Sequence, residues 1–263
     1  MPVEILLEPL NLFLSIISGI IIGFSLGLVG GGGSVLAVPL LLYVIGVKDV
    51  HLAIGTSALA IGIISLIHLI SHRRNGHLKI KKGIKFALPG IVGTIIGSQF
   101  GLWTRPEYLL ILFAVFMIAI GIFMIKKKNS HIETTSGKSG LILIKKNLFL
   151  SGFSVGILAG YFGIGGGFLI VPTLMYSGGL NIAQAVGTSL ISVSSFGLVA
   201  AGRYFVSGNV DFIIAMLIII GGVLGGYIGI KVSTKIPKKN LVKIFSILLF
   251  SVAAYIITKT ILV

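Results

Sequence analysis

The residues of this chain best placed to do chemistry are four consecutive glycines, Gly30, Gly31, Gly32 and Gly33, followed six residues later by Pro39. A glycine run is a poor helix, and within an apolar chain it leaves backbone N–H groups without helical partners. Successive N–H groups can converge on an anion, and a helix starting just after the run, at Ser34, adds its positive end. Pro39 then kinks that helix and frees carbonyl groups. Further on, Gly55, Thr56 and Ser57 supply small size and two hydroxyls, suited to hydrogen-bond an oxyanion without a fixed charge. The set comes twice. Gly163, Gly165, Gly166 and Gly167 precede Pro172, a helix starts at Phe168, and Gly187, Thr188 and Ser189 follow. These residues are the candidate substrate-binding set, and the chemistry they offer is neutral recognition of a small anion.

The elements that position them are themselves duplicated. Gly19, Gly23, Gly27, Gly30, Gly32 and Gly33 find Gly152, Gly156, Gly160, Gly163, Gly165 and Gly166 at an offset of 133 residues. One residue drops out in the next connection, and Gly90, Gly93 and Gly97 then meet Gly222, Gly225 and Gly229 at 132. One unit is used twice. The organisation expected is a first repeat over 1–125, a linker over 126–147 and a second repeat over 148–263. The copies are not identical, since Gly31 and Ser34 correspond to Ile164 and Gly167. The glycines spaced by four around the runs have a simpler reading as small-residue helix contacts.

Composition sets the solvent. Hydrophobic residues make up 56% and charged residues 10% of 263, and the mean hydropathy is +1.12, against about 25% charged in soluble domains. Apolar segments fall at about 10–29, 34–46, 51–70, 84–103 and 107–125, and again at about 148–163, 168–179, 182–206, 211–230 and 241–258. Most are longer than barrel strands and lack alternation, so the fold class is all-α, a polytopic helical membrane protein. The second segment of each copy is too short to cross straight, and is expected as half of a broken helix or a re-entrant hairpin.

Of the 21 Lys and Arg residues, 17 lie in the connections 71–85, 126–147 and 231–243. Such clusters mark cytoplasmic ends and anionic lipid, and argue against nucleic acid. The connections 103–107 and 203–211 are nearly bare, so they and both termini face outside. The third-to-fourth connection is basic in the first copy, whereas in the second it is the fourth-to-fifth. The copies therefore read as inverted-topology repeats, inserted in opposite senses, with broken helices meeting near the midplane. The N-terminus reads as the approach to a first span and not as a signal peptide. The localisation expected is the inner, cytoplasmic membrane, with multiple passes.

All six acids, Glu4, Glu8, Asp49, Glu107, Glu133 and Asp211, fall at termini or in connections, so no span holds a carboxylate for a proton or cation. The absence of cysteine excludes disulfides and thiolate metal sites. No Ser-His-Asp set, HExxH, P-loop or Rossmann fingerprint is present, so the chain is not read as an enzyme and calls for neither metal nor cofactor. Arg203 and Gln99 are weaker candidates for the mouth of a pathway, against anchoring and an interhelical hydrogen bond. Trp103, Tyr108 and Tyr204, at span ends, read as interfacial anchors, and His68 as an anchor or a residue of the pathway mouth. Tyr161 stands open between packing and site.

The doubled stretch Gly27-LVGGGGSVLAV-Pro39 with Ala53-IGTS, and Gly160-YFGIGGGFLIV-Pro172 with Ala185-VGTS, resembles the sulfite exporter TauE/SafE family over essentially the whole chain. The resemblance implies an inner-membrane carrier that exports sulfite, organosulfonates or related small anions, with the shared glycine, proline and Gly-Thr-Ser positions at or near the path. The function expected is secondary transport of a small sulfur oxyanion by alternating access. A passive anion channel and an accessory membrane protein are the competing readings. The partners expected are the anion and the lipid bilayer, with the coupling ion and homo-oligomer formation left open.

Overall fold

The computed structural model describes residues 9–73, 78–126, 147–163, 167–233, 250–251, 253–256 and 258. The all-helical expectation holds, and no strand occurs among the described residues. The helices are α1 (Pro9–Val29), α2 (Ala37–Leu40), α3 (Val50–Arg73), α4 (Ile80–Trp103), α5 (Pro106–Lys126), α6 (Leu148–Phe162), α7 (Gly167–Gly178), α8 (Ile182–Val206) and α9 (Phe212–Ser233). A 3-10 helix, Gly31–Leu36, leads into α2, and a π-helix, Leu41–Ile45, follows it. Five helices, α1, α3, α4, α8 and α9, are long and apolar enough to cross a membrane. The expected linker 126–147 and last segment 241–258 lie almost wholly outside the described residues.

Membrane chemistry explains which faces turn inward. On α4 the large side chains Leu88, Val92 and Phe100 are exposed, while Gly90, Gly93, Gly97 and Gly101 are buried. On α9 Met216, Ile220 and Leu224 are exposed in the same way, and Gly221, Gly222, Gly225 and Gly226 are buried. Lipid solvates the large residues as well as a core would, so association rests on close backbone approach between small ones.

That approach pairs each copy with the other. Side chains added at Gly19, Gly23 and Gly27 would collide with the backbone of Ile218, Gly222 and Gly226, so α1 lies parallel to α9. Gly152, Gly156 and Gly160 meet Phe86, Gly90 and Thr94 in the same way, so α6 lies parallel to α4. Every contact in one seam is the image of one in the other at the offsets of the sequence repeat. Between the seams α3 and α8 cross antiparallel, with Gly62 against Leu198 and Gly55 against Tyr204 and Asn209.

The bundle therefore has two distinct ends. At one, Lys79, Lys81, Lys82 and Lys85 begin α4 and Lys231 ends α9. At the other lie Lys48, Arg105 and Arg203 together with Asp49, Glu107 and Asp211. Every described acid is at this second end. Lys82 Nζ donates to the Gly178 carbonyl at 2.6 Å, which satisfies one carbonyl at the buried C-terminal end of α7.

The short segments start where the glycine runs force a reversal. After α1 the chain turns at Gly30 (φ 74°, ψ −136°), a conformation essentially confined to glycine, and doubles back with Gly33 against Ile22 and Leu26. Residues 31–45 wind from 3-10 through α to π around Pro39, whose ring removes one donor and crowds the preceding turn. In the second copy α7 stays α-helical through Pro172. Both segments close alike: Val47 N donates to Leu41 O at 3.0 Å and Leu180 N to Leu174 O at 3.4 Å, beside the left-handed glycines Gly46 and Gly179.

Candidate functional site

The helix start at α3 is fixed by Asp49, whose Oδ1 accepts from His51 N at 2.8 Å, and that at α8 by Asn181, whose Oδ1 accepts from Gln184 N at 2.9 Å. About two turns inside these caps come Gly55, Thr56 and Ser57 on α3, and Gly187, Thr188 and Ser189 on α8. All four hydroxyl-bearing residues are buried, with Thr188, Ser57 and Ser189 at 0% exposure and Thr56 at 1%.

Each glycine run comes up against the Gly-Thr-Ser helix of the other copy. A Cβ at Gly30 would lie 3.0 Å from Val186 Cγ1 and 3.4 Å from Ser189 Oγ, and that at Gly163 would meet the Ile54 side chain. Gly163 is itself left-handed (φ 62°) and ends α6. Gly31, Gly32 and Gly33 open the 3-10 helix, so their N–H groups are among those with no acceptor inside it. Gly167 opens α7 and Pro172 lies one turn further in. Gly165 and Gly166 lie outside the described residues.

The hydroxyls are already partly employed. Ser57 Oγ donates to Ile54 O at 2.9 Å and Ser189 Oγ to Val186 O at 2.7 Å, each bonding back one turn. Thr56 Oγ1 accepts from Asp211 N at 2.9 Å, and Thr188 Oγ1 accepts from Lys79 N at 3.1 Å. Each threonine thus ties down the N-terminus of the other copy's fourth helix. The serines present lone pairs in this state, whereas each threonine keeps its own proton available to a ligand.

The expected meeting of the two broken helices near the midplane is not what these residues form. The set divides into one candidate half-site of Gly30, Thr188 and Ser189 near the Lys79 end, and another of Gly163, Thr56 and Ser57 near the Asp211 end. Because α3 and α8 run antiparallel, a motif near the start of each falls at opposite ends. From Thr188 to Tyr204, which packs on Gly55, α8 advances sixteen residues, about 24 Å.

Arg203 and Gln99 are brought together: an Arg203 Nη2 hydrogen bond reaches Gln99 Oε1 between the last turns of α8 and α4. Beside them Tyr204 is completely buried, so it is no interfacial anchor, unlike Trp103 and Tyr108, which are 71% and 60% exposed. Its side chain stretches from Gly55 to Gly101, and its hydroxyl has no hydrogen-bond partner among the described residues. Sequence reasoning placed Tyr204 at the interface and passed over His51, whose ring centroid lies 6.4 Å from that of Tyr204. His68 was also misplaced as an anchor; it is 4% exposed and fills the space over Gly226. Tyr161 donates its hydroxyl to Thr104 Oγ1 at 3.1 Å, between α6 and the end of α4. Two cavities, one of about 200 Å³ between α3, α8 and α9 and one of about 390 Å³ between α3 and α9, are lined by none of the expected substrate-binding residues.

A helical bundle with small residues inside, large apolar residues outside and five helices long enough to span a bilayer is a multi-pass membrane protein. A family model, sulfite exporter TauE/SafE, matches residues 15–256. The chain is 38% identical over 252 residues to a probable membrane transporter protein of Xylella fastidiosa (strain Temecula1), covering 95% of this chain and 96% of that one. It is 30% identical over 241 residues to the probable membrane transporter protein MJ0441 of Methanocaldococcus jannaschii (87% and 88% covered), and 26% over 224 residues to YdhB of Bacillus subtilis, a protein of the same description (83% and 89%). No solved structure matches significantly. The chain belongs to the sulfite exporter TauE/SafE family.

Proposed function

We propose that this protein is a secondary transporter that exports a small sulfur oxyanion or organosulfonate across the cytoplasmic membrane by alternating access. The observation that carries the reading is the approach of each glycine run to the other copy's Gly-Thr-Ser helix. There, backbone N–H groups and a threonine hydroxyl can hold an anion with no carboxylate in the described spans to repel it. The substrate set is Gly30, Gly31, Gly32, Gly33, Pro39, Gly55, Thr56, Ser57, Gly163, Gly165, Gly166, Gly167, Pro172, Gly187, Thr188 and Ser189, with Arg203 and Gln99 at the mouth. The family name supports sulfite as the first anion to try.

In this reading the repeats 1–125 and 148–263 are inserted in opposite senses and joined by a cytoplasmic linker, 126–147. The Lys79 end faces the cytoplasm, since it gathers lysines and no acid, while charges at the Asp211 end balance. The reciprocal seams make α1 with α9, and α4 with α6, the natural rigid units. Rocking them about the α3–α8 crossing would open the half-sites in turn.

Flux of labelled sulfite, sulfate, thiosulfate and a sulfonate across proteoliposome membranes, with and without a pH gradient, tests the reading. Saturable uptake with counterflow is the expected result. Unitary currents without counterflow would make the protein a channel, and no flux of any of these anions would sink the proposal.

A further inference from the structure

Toward the Lys79 end, a cavity of about 390 Å³ lies between α3 and α9, lined by Ile67 and His68 of the first and Val223, Leu224, Tyr227 and Ile228 of the second. Leu224, Tyr227 and Ile228 are each more than half exposed, so the cavity is a groove in the outer, lipid-facing surface. His68 is buried in its wall. One turn beyond Tyr227, the exposed Lys231 holds its ammonium 5.9 Å from the centre of that ring. The order along α9 is therefore an apolar wall, an aromatic ring and then a cation. His68 packs over Gly226, five residues before Lys231, which sets its ring about 7–8 Å deeper along the helix axis.

An anionic phospholipid carries its groups in the matching order: a negative head group, ester carbonyls a little deeper, then acyl chains. Tyrosine favours the head-group level, and a lysine near anionic head groups is drawn to them. Every described acid lies at the other end of the bundle, so no described carboxylate competes for Lys231. The helical frame does not demand these polar groups either. The positions matching His68, Tyr227 and Lys231 in the other copy are Ala200, Ile95 and Gln99, and Gln99 is engaged by Arg203. We propose that the α3–α9 groove binds one anionic phospholipid, with its phosphate at Lys231, its ester carbonyls at the depth of His68 and an acyl chain along Leu224 and Val223. The site shares no residue with the substrate set, so it stands whichever solute the protein carries.

The test titrates purified full-length protein in detergent with phosphatidylglycerol, or with phosphatidylcholine of the same chains, and counts retained lipid by native mass spectrometry. Phosphatidylglycerol should be retained as a single molecule, about fivefold more tightly than phosphatidylcholine, the preference one lysine near a head group confers. Lys231→Ala should abolish that preference by weakening phosphatidylglycerol alone. Lys81→Ala, at an exposed position on α4 outside the groove, should leave it intact. Leu224→Trp fills the groove and should lower retention of both lipids, whereas Val92→Trp, at the matching position on α4, should not. Both positions face outward, at 59% and 52% exposure, so the larger ring does not disturb the core. Equal retention of the two lipids by the wild type would overturn the proposal. So would equal losses from Lys81→Ala and Lys231→Ala, because the attraction would then belong to the basic end as a whole. A Leu224→Trp protein that passes from dimer to monomer with lipid retention unchanged would overturn it too, by making the groove an interface between copies.

Discussion

The Lys79 end and the Asp211 end of the bundle are built from the same sequence twice, and their likeness stops at the scaffold. Both have a glycine seam, a glycine run laid against the other copy's Gly-Thr-Ser, and a threonine that accepts from the start of a fourth helix. They part in the polar residues carried on that scaffold. The Lys79 end spends Lys82 on the last carbonyls of α7 and has no described acid. The Asp211 end holds Arg203 with Gln99, the buried Tyr204, and every described acid, two of them as helix caps. The difference teaches that duplicated residues build the frame, and that residues present once give each end its own chemistry.

The frame is tested most severely at the seams. Gly23→Val on α1 and Gly156→Val on α6 each drive a branched side chain into facing backbone, at Gly222 and Gly90, where no side-chain rotation relieves the clash. Each should destabilise the protein by about 3 kcal/mol or more, the upper range of overpacking. Thermal unfolding and the monodisperse fraction in detergent would show it. The two losses should match, and tolerance at one seam would break the equivalence of the frames.

A smaller effect separates the two turns. Gly30 adopts φ 74° and ψ −136°, which side-chain-bearing residues almost never reach, whereas Gly163 has the left-handed φ 62° and ψ 18° that asparagine or alanine can enter at modest cost. Gly30→Ala should therefore cost about 2–3 kcal/mol and Gly163→Ala about 1–2 kcal/mol, the latter with Ile54 shifting its side chain. The measurement is thermal unfolding alongside transport. Equal losses would mean that the turns are more alike than their dihedrals.

Much of this frame was legible before any coordinates. The repeat, the helical membrane class, the breaks at the glycine runs and the small-residue faces follow from spacing alone, because period and residue size are properties of one strand of sequence. Partnership is not. Spacing by four announces that Gly19, Gly23 and Gly27 pack closely, but it does not say that they pack on α9 of the other copy. Tyr204 and His68 read as anchors because they end a span, and the same position serves an outward or an inward side chain. Their burial depends on the rotation of α8 and α3 about their own axes, which Gly55, Gly101 and Gly226 make possible from other helices. The two half-sites were likewise expected to meet, since the motif places each serine and threonine near a helix start without showing that α3 and α8 run antiparallel.

The finest test asks what the paired threonines do. Thr56→Val and Thr188→Val keep shape and burial but leave Asp211 N–H or Lys79 N–H without its acceptor. Each should cost about 1 kcal/mol of stability, with normal membrane insertion. Because Thr56 on α3 and Thr188 on α8 lie near opposite ends of the bundle with no shared partner, the two losses should add in the double variant. Transport is the sharper readout. If the Thr188 hydroxyl also gives its proton to the anion, Thr188→Val should weaken transport about fivefold through KM, and Thr188→Ser, which keeps both acceptor and donor, should restore it. If the hydroxyl only clamps α4, stability will fall with KM unmoved, and substrate contact near the Lys79 end must then come from the backbone of Gly30 to Gly33. The same pair of substitutions at Thr56 tells whether the scaffold's two halves divide that labour equally.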